Sequence, residues 1–198
     1  MTTFPFSVII PAAGNSGRMG TDKALLAYGN GFSFAEHLIK SYSGFGVHPV
    51  VMVVNTMLDL SGFATSQYVT VLNEHTDWGR SYSIMLGTRK VPKKCSCFLH
   101  NIDNPCIGNE LLSLLLEANE PDSYVVPVFQ GRGGHPILLG NRIVEYLQNM
   151  DEVPDFREVL KQFNRIEVPY GDERILWNIN TPAEYERFIK TVKNNIDV

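Results

Sequence analysis

The sequence predicts an α/β protein in which one mainly parallel sheet lies between two layers of helices. Continuous apolar runs, Pro49–Val54 and Val69–Leu72, are typical of strands that are covered on both faces. Helical patterns alternate with these runs, which indicates a doubly wound sheet. The first apolar run, Phe6–Ile10, opens into a glycine-rich loop, and ligands of such sheets bind at the carboxyl ends of the strands. With 198 residues, the chain suits a single-domain, Rossmann-like three-layer sandwich.

Composition excludes several classes of partner. The net charge of −4 argues against a nucleic-acid-binding face, which is normally basic. No apolar stretch approaches the roughly 18 residues of a membrane span. The first five residues lack the basic region and apolar core of a signal peptide, so we expect a cytoplasmic protein without a membrane partner. The three cysteines have no C-x-x-C spacing, and we expect Cys95-Ser96-Cys97 to enter a buried strand as small apolar filler.

The loop after the first strand has the composition of a phosphate-binding site. Gly14, Gly17 and Gly20 allow positive φ angles and close approach of a ligand. Successive N–H groups in such a turn can hold anionic oxygens. Arg18 and Lys23 add two positive charges. A polyphosphate is the ligand that uses all of these features, although a glycine-rich turn with two solvated cations would have the same composition.

A second loop leaves the predicted strand Val69–Leu72. Gly79 permits close approach of a ligand, and Ser81 and Ser83 offer small hydroxyl groups to a nucleotide base or ribose. The alternative is structural, because Ser81 also suits the N-cap of the helix that follows.

A carboxylate follows the next predicted strand. Asp103 lies just before Pro105, which cannot donate to a sheet ladder. At the carboxyl end of a strand, Asp103 would face the same crevice as the glycine loop. Carboxylates and phosphate oxygens are the ligands that Mg²⁺ prefers, so Asp103 is well placed to hold Mg²⁺. The structural alternative is an Asx turn that caps a helix over Glu110–Glu117.

The second half begins with a predicted hairpin. The strand Tyr124–Phe129 leads through a glycine-rich turn into His135–Leu139. Arg132, Gly134 and His135 lie in this turn region. The same segment could be no more than a flexible turn.

Helix and strand signals continue to the end of the chain. Capping boxes at Ser33–Glu36 and Thr181–Glu184 each start a helix. Further helices are predicted over 142–149 and 155–163, and short strands over 166–169 and 175–179. Asn178 and Asn180 precede the last helix.

The glycine loop carries a resemblance to a known family. The string A-A-G-x-S-x-R-M-G-x-x-K-x-L-L is filled without a gap from Ala12 to Leu26. It resembles the signature of the nucleotidyltransferases that include the molybdenum cofactor cytidylyltransferases and guanylyltransferases. Asp103–Pro105, Gly131–Pro136 and Asn178–Pro182 resemble later motifs of the same family. The resemblance implies a nucleotide-diphospho-sugar transferase-like fold over residues 1–198, with a nucleotide-binding half over about 1–105 and an acceptor-binding half over about 106–198.

The resemblance also implies a role for each candidate residue. Arg18, Lys23 and Asp103 are the expected catalytic residues, and Asp103 with Asn180 is the expected Mg²⁺ site. The expected nucleotide contacts are Ala12, Ala13, Gly14, Ser16, Gly17, Arg18, Lys23, Gly79, Ser81 and Ser83, and the expected acceptor contacts are Arg132, Gly134 and His135.

The implied reaction moves CMP from CTP to a phosphate-bearing acceptor, molybdopterin, with release of pyrophosphate. Ala13 and the Gly-His-Pro motif favour CTP, whereas Asn178 and Asn180 stand where the cytidylyl branch carries aspartates. The acceptor could instead be a sugar phosphate or a polyol phosphate such as methylerythritol phosphate, since one fold hosts many functions. The other alternative is a nucleotide-binding maturation partner of a molybdenum enzyme, with little catalysis.

Overall fold

Eight strands form one sheet in the part of the chain that the computed structural model describes, residues 6–14, 19–29, 31–55 and 68–196. The strands are β1 (Phe6–Pro11), β2 (Val50–Val54), β3 (Tyr68–Leu72), β4 (Ser96–Leu99), β5 (Ser123–Phe129), β6 (Arg132–Gly133), β7 (Ile137–Leu139) and β8 (Asn164–Pro169). The α-helices are α1 (Phe34–Phe45), α2 (Gly79–Thr88), α3 (Asn109–Glu117), α4 (Asn141–Gln148), α5 (Phe156–Leu160) and α6 (Pro182–Ile196).

The sheet order is β3-β2-β1-β4-β7-β5, and β6 and β8 both pair with β5. Strands β1 to β4 are parallel to their neighbours in that group, and β8 is parallel to β5. β7 runs antiparallel to both β4 and β5, so these two strands point the same way. The carboxyl ends of β1, β3, β4, β5 and β8 therefore lie at one edge of the sheet. The mainly parallel α/β architecture predicted from the sequence is confirmed.

Two apolar layers cover the faces of this sheet. Alternate strand residues point to opposite faces, so Val8 and Ile10 pack on one side and Ile9 on the other. The first layer contains buried residues of α1, α3 and α6, and the second contains those of α2, α4 and α5. Gly87 lets α2 approach β1 closely, because a Cβ atom there would lie 2.5 Å from Cγ2 of Ile9. This gives the predicted three layers.

The predicted helix starts and the predicted hairpin turn are present in the structure. Ser33 and Glu36 form a reciprocal capping box at α1. The hydroxyl of Thr181 accepts a hydrogen bond from the backbone N–H of Glu184, whose carboxylate accepts from the N–H of Thr181 in return. The β5–β6 hairpin turns at Gln130 and Gly131, both with positive φ, a pairing typical of a tight two-residue hairpin loop. Cys95 and Cys97 are buried, as expected of apolar filler.

Three local predictions and one structural alternative are wrong. Strand β3 is not covered on both faces: it lies at the edge of the sheet, and Val69 and Leu72 are 39% and 46% exposed. Residues 175–179 do not form a strand, because a 3₁₀ helix occupies Glu173–Leu176. α5 ends at Leu160, which is shorter than predicted. Ser81 is not the N-cap of α2, since that helix already begins at Gly79.

None of the described helices is both long enough and apolar enough to cross a membrane.

Candidate active site

A cavity of about 400 Å³ opens at the edge of the sheet where the parallel strands end. Its wall comes from three segments: the loop after β1, the loop after β3 and the turn after β4. The lining residues are Pro11, Ala12, Ala13, Gly14, Asp22, Lys23, Asn73, Thr76, Gly79, Arg80, Ser83, Asn101, Ile102 and Asp103. The volume is within the usual range for a small-molecule site.

The loop after β1 leaves the sheet in an ordered way. The N–H of Ala12 donates to Val53 O over 2.7 Å, which continues the β1–β2 ladder. The carboxylate of Asp22 caps the 3₁₀ helix Lys23–Leu25 by accepting from the N–H of Ala24. Burial raises the pKa of Asp22 above its usual value. Lys23 is thereby fixed at the start of this short helix, beside the cavity.

Lys23 connects three distant parts of the chain. Its Nζ donates to Asn180 Oδ1 over 2.6 Å and to Asp103 Oδ2 over 3.3 Å. The side chains of Lys23 and Asp103 are only 16% and 22% exposed, so water screens this ion pair less than a surface pair. The structure thus brings the predicted phosphate-binding lysine and the two predicted metal ligands to one point.

Asp103 lies in a turn tied to the segment before α6. Its backbone carbonyl accepts from the N–H of Ile179 over 2.7 Å. α3 begins after Gly108 without a side-chain cap, so the Asx-turn cap considered from the sequence is not formed. Asp103 Oδ1 is buried and has no hydrogen-bond partner among the described residues.

Asn180 presents its amide oxygen to the same point. Its backbone N–H donates to Glu184 Oε2 over 2.8 Å, and its Nδ2 donates to Asn178 O over 3.3 Å. These two contacts leave Oδ1 directed at Lys23. The described residues contain no group of three or more His, Cys, Asp or Glu side chains that could hold a metal. One unsatisfied carboxylate oxygen and one amide oxygen suit a divalent cation that takes its remaining ligands from phosphate or water.

The loop after β3 forms the opposite wall. Gly79 lines the cavity with φ of +80°. Ser83 also lines it, and its hydroxyl accepts from Nδ2 of the buried Asn73 over 2.9 Å. Ser81, by contrast, is not among the lining residues. Its hydroxyl accepts from the N–H of Phe156 over 3.2 Å, which ties α2 to α5.

Sequence reasoning missed three residues of this wall as site residues: Asn73, Thr76 and Arg80. Asn73 also fixes the loop through Oδ1, which accepts from the N–H of His75 over 2.8 Å. Its position directly after β3 was a usable signal. Arg80 lines the cavity and brings a second cation to it, a position that depends on how α2 packs on the sheet. Desolvation lowers the pKa of Arg80, while the carboxylate of Asp103 raises it.

The three predicted acceptor contacts have different surroundings. Arg132 is exposed on β6 and does not line the cavity. Gly134 is buried against Ile175, where an added Cβ would lie 2.6 Å from the carbonyl oxygen. His135 reaches the cavity wall through Asn101, with 2.9 Å between Nε2 and Nδ2. Since an amide nitrogen only donates, Nε2 of His135 accepts. Burial and then the charge of Arg80 lower the pKa of His135 to about 4, so the ring is neutral near pH 7.

Seven of the predicted residues line one cavity, and an eighth, Asn180, touches its wall through Lys23. The seven are Ala12, Ala13, Gly14, Lys23, Gly79, Ser83 and Asp103. Ser16, Gly17 and Arg18 lie outside the described residues.

Comparison with known proteins agrees with this arrangement. Residues 8–166 match the family model described as a MobA-like NTP transferase domain. A probable molybdenum cofactor guanylyltransferase from Carboxydothermus hydrogenoformans is 23% identical over 194 residues, covering 93% of this chain and 95% of the relative.

Solved structures share the fold. A nucleotidyl transferase from Methanothermobacter thermautotroptrophicus superposes with a TM-score of 0.78 at 21% identity, covering 96% of this chain and 98% of the other. A Mycobacterium tuberculosis protein solved as a complex with manganese gives a TM-score of 0.67 at 17% identity, covering 94% and 98% of the two chains.

Proposed function

Because the chain belongs to the family of MobA-like NTP transferase domains, we propose that it transfers CMP from CTP to the phosphate of molybdopterin, with release of pyrophosphate. The observation that carries this proposal is the contact of Lys23 with Asp103 and Asn180 beside the cavity formed by the loop after β1. A lysine, a carboxylate and an amide oxygen at this point suit a polyphosphate and its counterion.

Phosphoryl transfer asks a protein mainly to position groups and to neutralise developing negative charge. Lys23 and Arg80 are the described cations at the cavity, and we assign them to the triphosphate and the departing pyrophosphate. Arg18 is proposed for the same role from the sequence motif. Gly79 and Ser83 are proposed to face the base or ribose. An ionised acceptor phosphate needs no general base for its attack.

We propose that Asp103 and Asn180 hold Mg²⁺. The buried, unpartnered Oδ1 of Asp103 supports this assignment, as does the direction of Asn180 Oδ1. The manganese complex of a structural neighbour supports a divalent cation for this fold. When bound, such an ion screens the charge of the phosphates and polarises the phosphorus centre.

A second candidate donor is GTP. The curated relative is named as a guanylyltransferase, and Asn178 and Asn180 match the guanylyl pattern. Ala13 and the Gly134-His135-Pro136 motif support CTP. The acceptor contacts are proposed to come from His135, through the wall at Asn101, and from the exposed Arg132.

The test is a panel of the four NTPs with Mg²⁺, each offered molybdopterin, methylerythritol phosphate and a hexose phosphate. Pyrophosphate release is measured. We expect release with CTP and molybdopterin, and a loss of roughly 100- to 1,000-fold in Asp103→Asn, the range typical of removing one preorganised charge-stabilising group. Asp122→Asn is the matched control, because Asp122 is 50% exposed and pairs with Arg142 rather than with the site.

The other outcomes each point elsewhere. Release with GTP alone would establish the second donor, and release with another acceptor phosphate would replace molybdopterin. Tight nucleotide binding without release would favour a maturation partner of a molybdenum enzyme. Absence of binding to every NTP would overturn the proposal.

A further inference from the structure

Asn104 directly follows the proposed metal ligand Asp103. Its polar amide side chain is completely buried. Its Nδ2 donates to Ile175 O over 2.7 Å, across 71 positions of sequence. Its Oδ1 has no hydrogen-bond partner among the described residues. A buried amide that is only half satisfied is unfavourable for stability. Asn104 is therefore poorly explained as a residue that serves folding alone.

The contact of Asn104 belongs to a pair of hydrogen bonds that joins two segments. One bond runs from the Asn104 side chain to Ile175 O. The other runs back, from the N–H of Ile179 to Asp103 O, over 2.7 Å. The segment between Ile175 and Ile179 leads directly to Asn180. Two hydrogen bonds therefore connect the turn that contains Asp103 to the segment that leads to Asn180.

A buried chain of hydrogen bonds supports Asn104 from the other side. The Asn104 carbonyl can only accept, so the ring of His100 donates through Nε2 over 2.6 Å. Nδ1 of His100 then accepts from the hydroxyl of Tyr42 over 2.8 Å. Tyr42 and His100 have no exposed surface. α1 therefore reaches the Asp103 turn through two fully buried side chains.

We infer that Asn104 is a positioning residue, which sets the separation of the Asp103 carboxylate and the Asn180 amide oxygen and is itself held by Tyr42 and His100. One carboxylate and one neutral amide offer little negative charge to a divalent cation. The affinity of such a site therefore depends strongly on how well the positions of its two oxygens are fixed. Partners that orient metal ligands commonly change metal affinity by 10- to 100-fold when they are removed. This inference rests on the proposed metal site.

The experiment compares wild type with Asn104→Ala in the full-length chain. Asn104→Ala leaves Ile175 O with its second donor, the N–H of His135 at 3.0 Å, so the variant is expected to fold. The first measurement is amide hydrogen exchange over residues 176–181 without nucleotide. The second is Mn²⁺ binding, by electron paramagnetic resonance, in the presence of CTP and then of GTP.

We expect Asn104→Ala to speed exchange of the Ile179 N–H at least 10-fold and to weaken Mn²⁺–nucleotide binding at least 10-fold. Tyr42→Phe, which removes only the hydroxyl, should move both quantities in the same direction by a smaller factor. Leu147→Ala is the control, because Leu147 is buried in the opposite apolar layer. It should lower thermal stability and leave both quantities unchanged.

Two results would overturn the inference: Asn104→Ala matching wild type in both measurements, or Leu147→Ala shifting them equally. Failure of the proposed function would look different. In that case wild type would bind no Mn²⁺–nucleotide complex, while the exchange measurement would still report whether Asn104 ties Asp103 to the segment before α6.

Discussion

At the scale of single residues, the candidate site depends on one ammonium group. Nζ of Lys23 donates to Asp103 and to Asn180, which lie 80 and 157 positions further along the chain. Removal of this cation leaves the partly buried carboxylate of Asp103 with less charge compensation. It would also leave the proposed triphosphate ligand with less positive charge.

Lys23→Met is therefore expected to lower the rate of pyrophosphate release by roughly 100- to 1,000-fold, as loss of a preorganised charge typically does. Steady-state kinetics with CTP and GTP measure the effect. Lys40→Met provides the control, because Lys40 is exposed on α1 and its Nζ lies over the ring of Phe32, outside the cavity lining. Equal losses in both variants would contradict the assignment of Lys23.

Asn180 and Asn178 form a matched pair for testing the proposed metal site. Asn180 Oδ1 faces Lys23, whereas the Asn178 side chain donates to Leu176 O. A carboxylate attracts Mg²⁺ more strongly than an amide oxygen does. Asn180→Asp should therefore lower the Mg²⁺ concentration for half-maximal activity, and Asn178→Asp should leave it unchanged. A metal titration of activity distinguishes the two, and a larger effect at position 178 would argue against Asn180.

At the scale of elements, the packing of α2 on β1 leaves no room for a side chain at Gly87. An added Cβ would lie 2.5 Å from Cγ2 of Ile9 and 3.2 Å from Cγ2 of Val53. α2 begins with Gly79 and includes Ser83, so its position sets one wall of the cavity.

Gly87→Ala should destabilise the protein by about 1–3 kcal/mol, the usual cost of overpacking a well-packed interior. Gly44→Ala is the matched control on α1, where a Cβ meets nothing within 4 Å. Replacing an exposed helical glycine by alanine should stabilise by about 0.5–1 kcal/mol. Urea denaturation of the two variants gives both values. A stabilised Gly87→Ala would show that α2 can move away from the sheet without cost.

At the scale of the whole molecule, one fully buried histidine, His100, and two partly buried ones, His37 and His135, are uncharged. Burial lowers the pKa of His37 to about 4, that of His100 to about 3 and that of His135 to about 4, against a usual value of 6.5. Between pH 6.5 and about 4, the unfolded chain binds these protons and the folded chain does not. The free energy of unfolding therefore falls as the pH falls through this window.

Within its window, each such group changes the free energy of unfolding by up to about 1.4 kcal/mol per pH unit. Above pH 6.5 these groups give the free energy of unfolding no pH dependence. Urea denaturation at pH 7.5, 6 and 5 should show a flat and then a steeply falling free energy of unfolding. His37→Phe keeps a ring against Tyr28, whose ring centroid lies 3.5 Å away. This variant should reduce the slope between pH 6 and 5. An unchanged slope would mean that His37 does not contribute.

Local chemistry made much of the fold predictable. Three predicted features depend only on residues that are close in sequence: the capping boxes at Ser33 and Thr181 and the apolar run of β2. The structure contains all three. The exposure of β3 was not predictable in this way, because only the order of strands decides which one lies at the edge. The 3₁₀ helix at Glu173–Leu176 replaced a predicted strand since Asp172 caps it locally.

The candidate site was predictable to the extent that its parts follow parallel strands. Asp103 and the glycine loop meet because β4 and β1 are neighbours. The inward direction of Arg80 depends on how α2 packs, and the burial of Asn104 depends on a contact 71 positions away. Sequence patterns carry no information on either. Gly134 was singled out as an acceptor contact from its motif, but its position reflects close packing on Ile175.

Asn180 lies beyond residue 166, where the match to the family model ends. During translation, Lys23 and Asp103 would leave the ribosome long before the Asn180 amide that Lys23 also contacts. A nascent polypeptide that had completed β8 would contain all eight described strands but only one of the two proposed metal ligands. If Asn180 serves as proposed, nucleotide chemistry would start only after the last helix had been synthesised and had packed on the sheet.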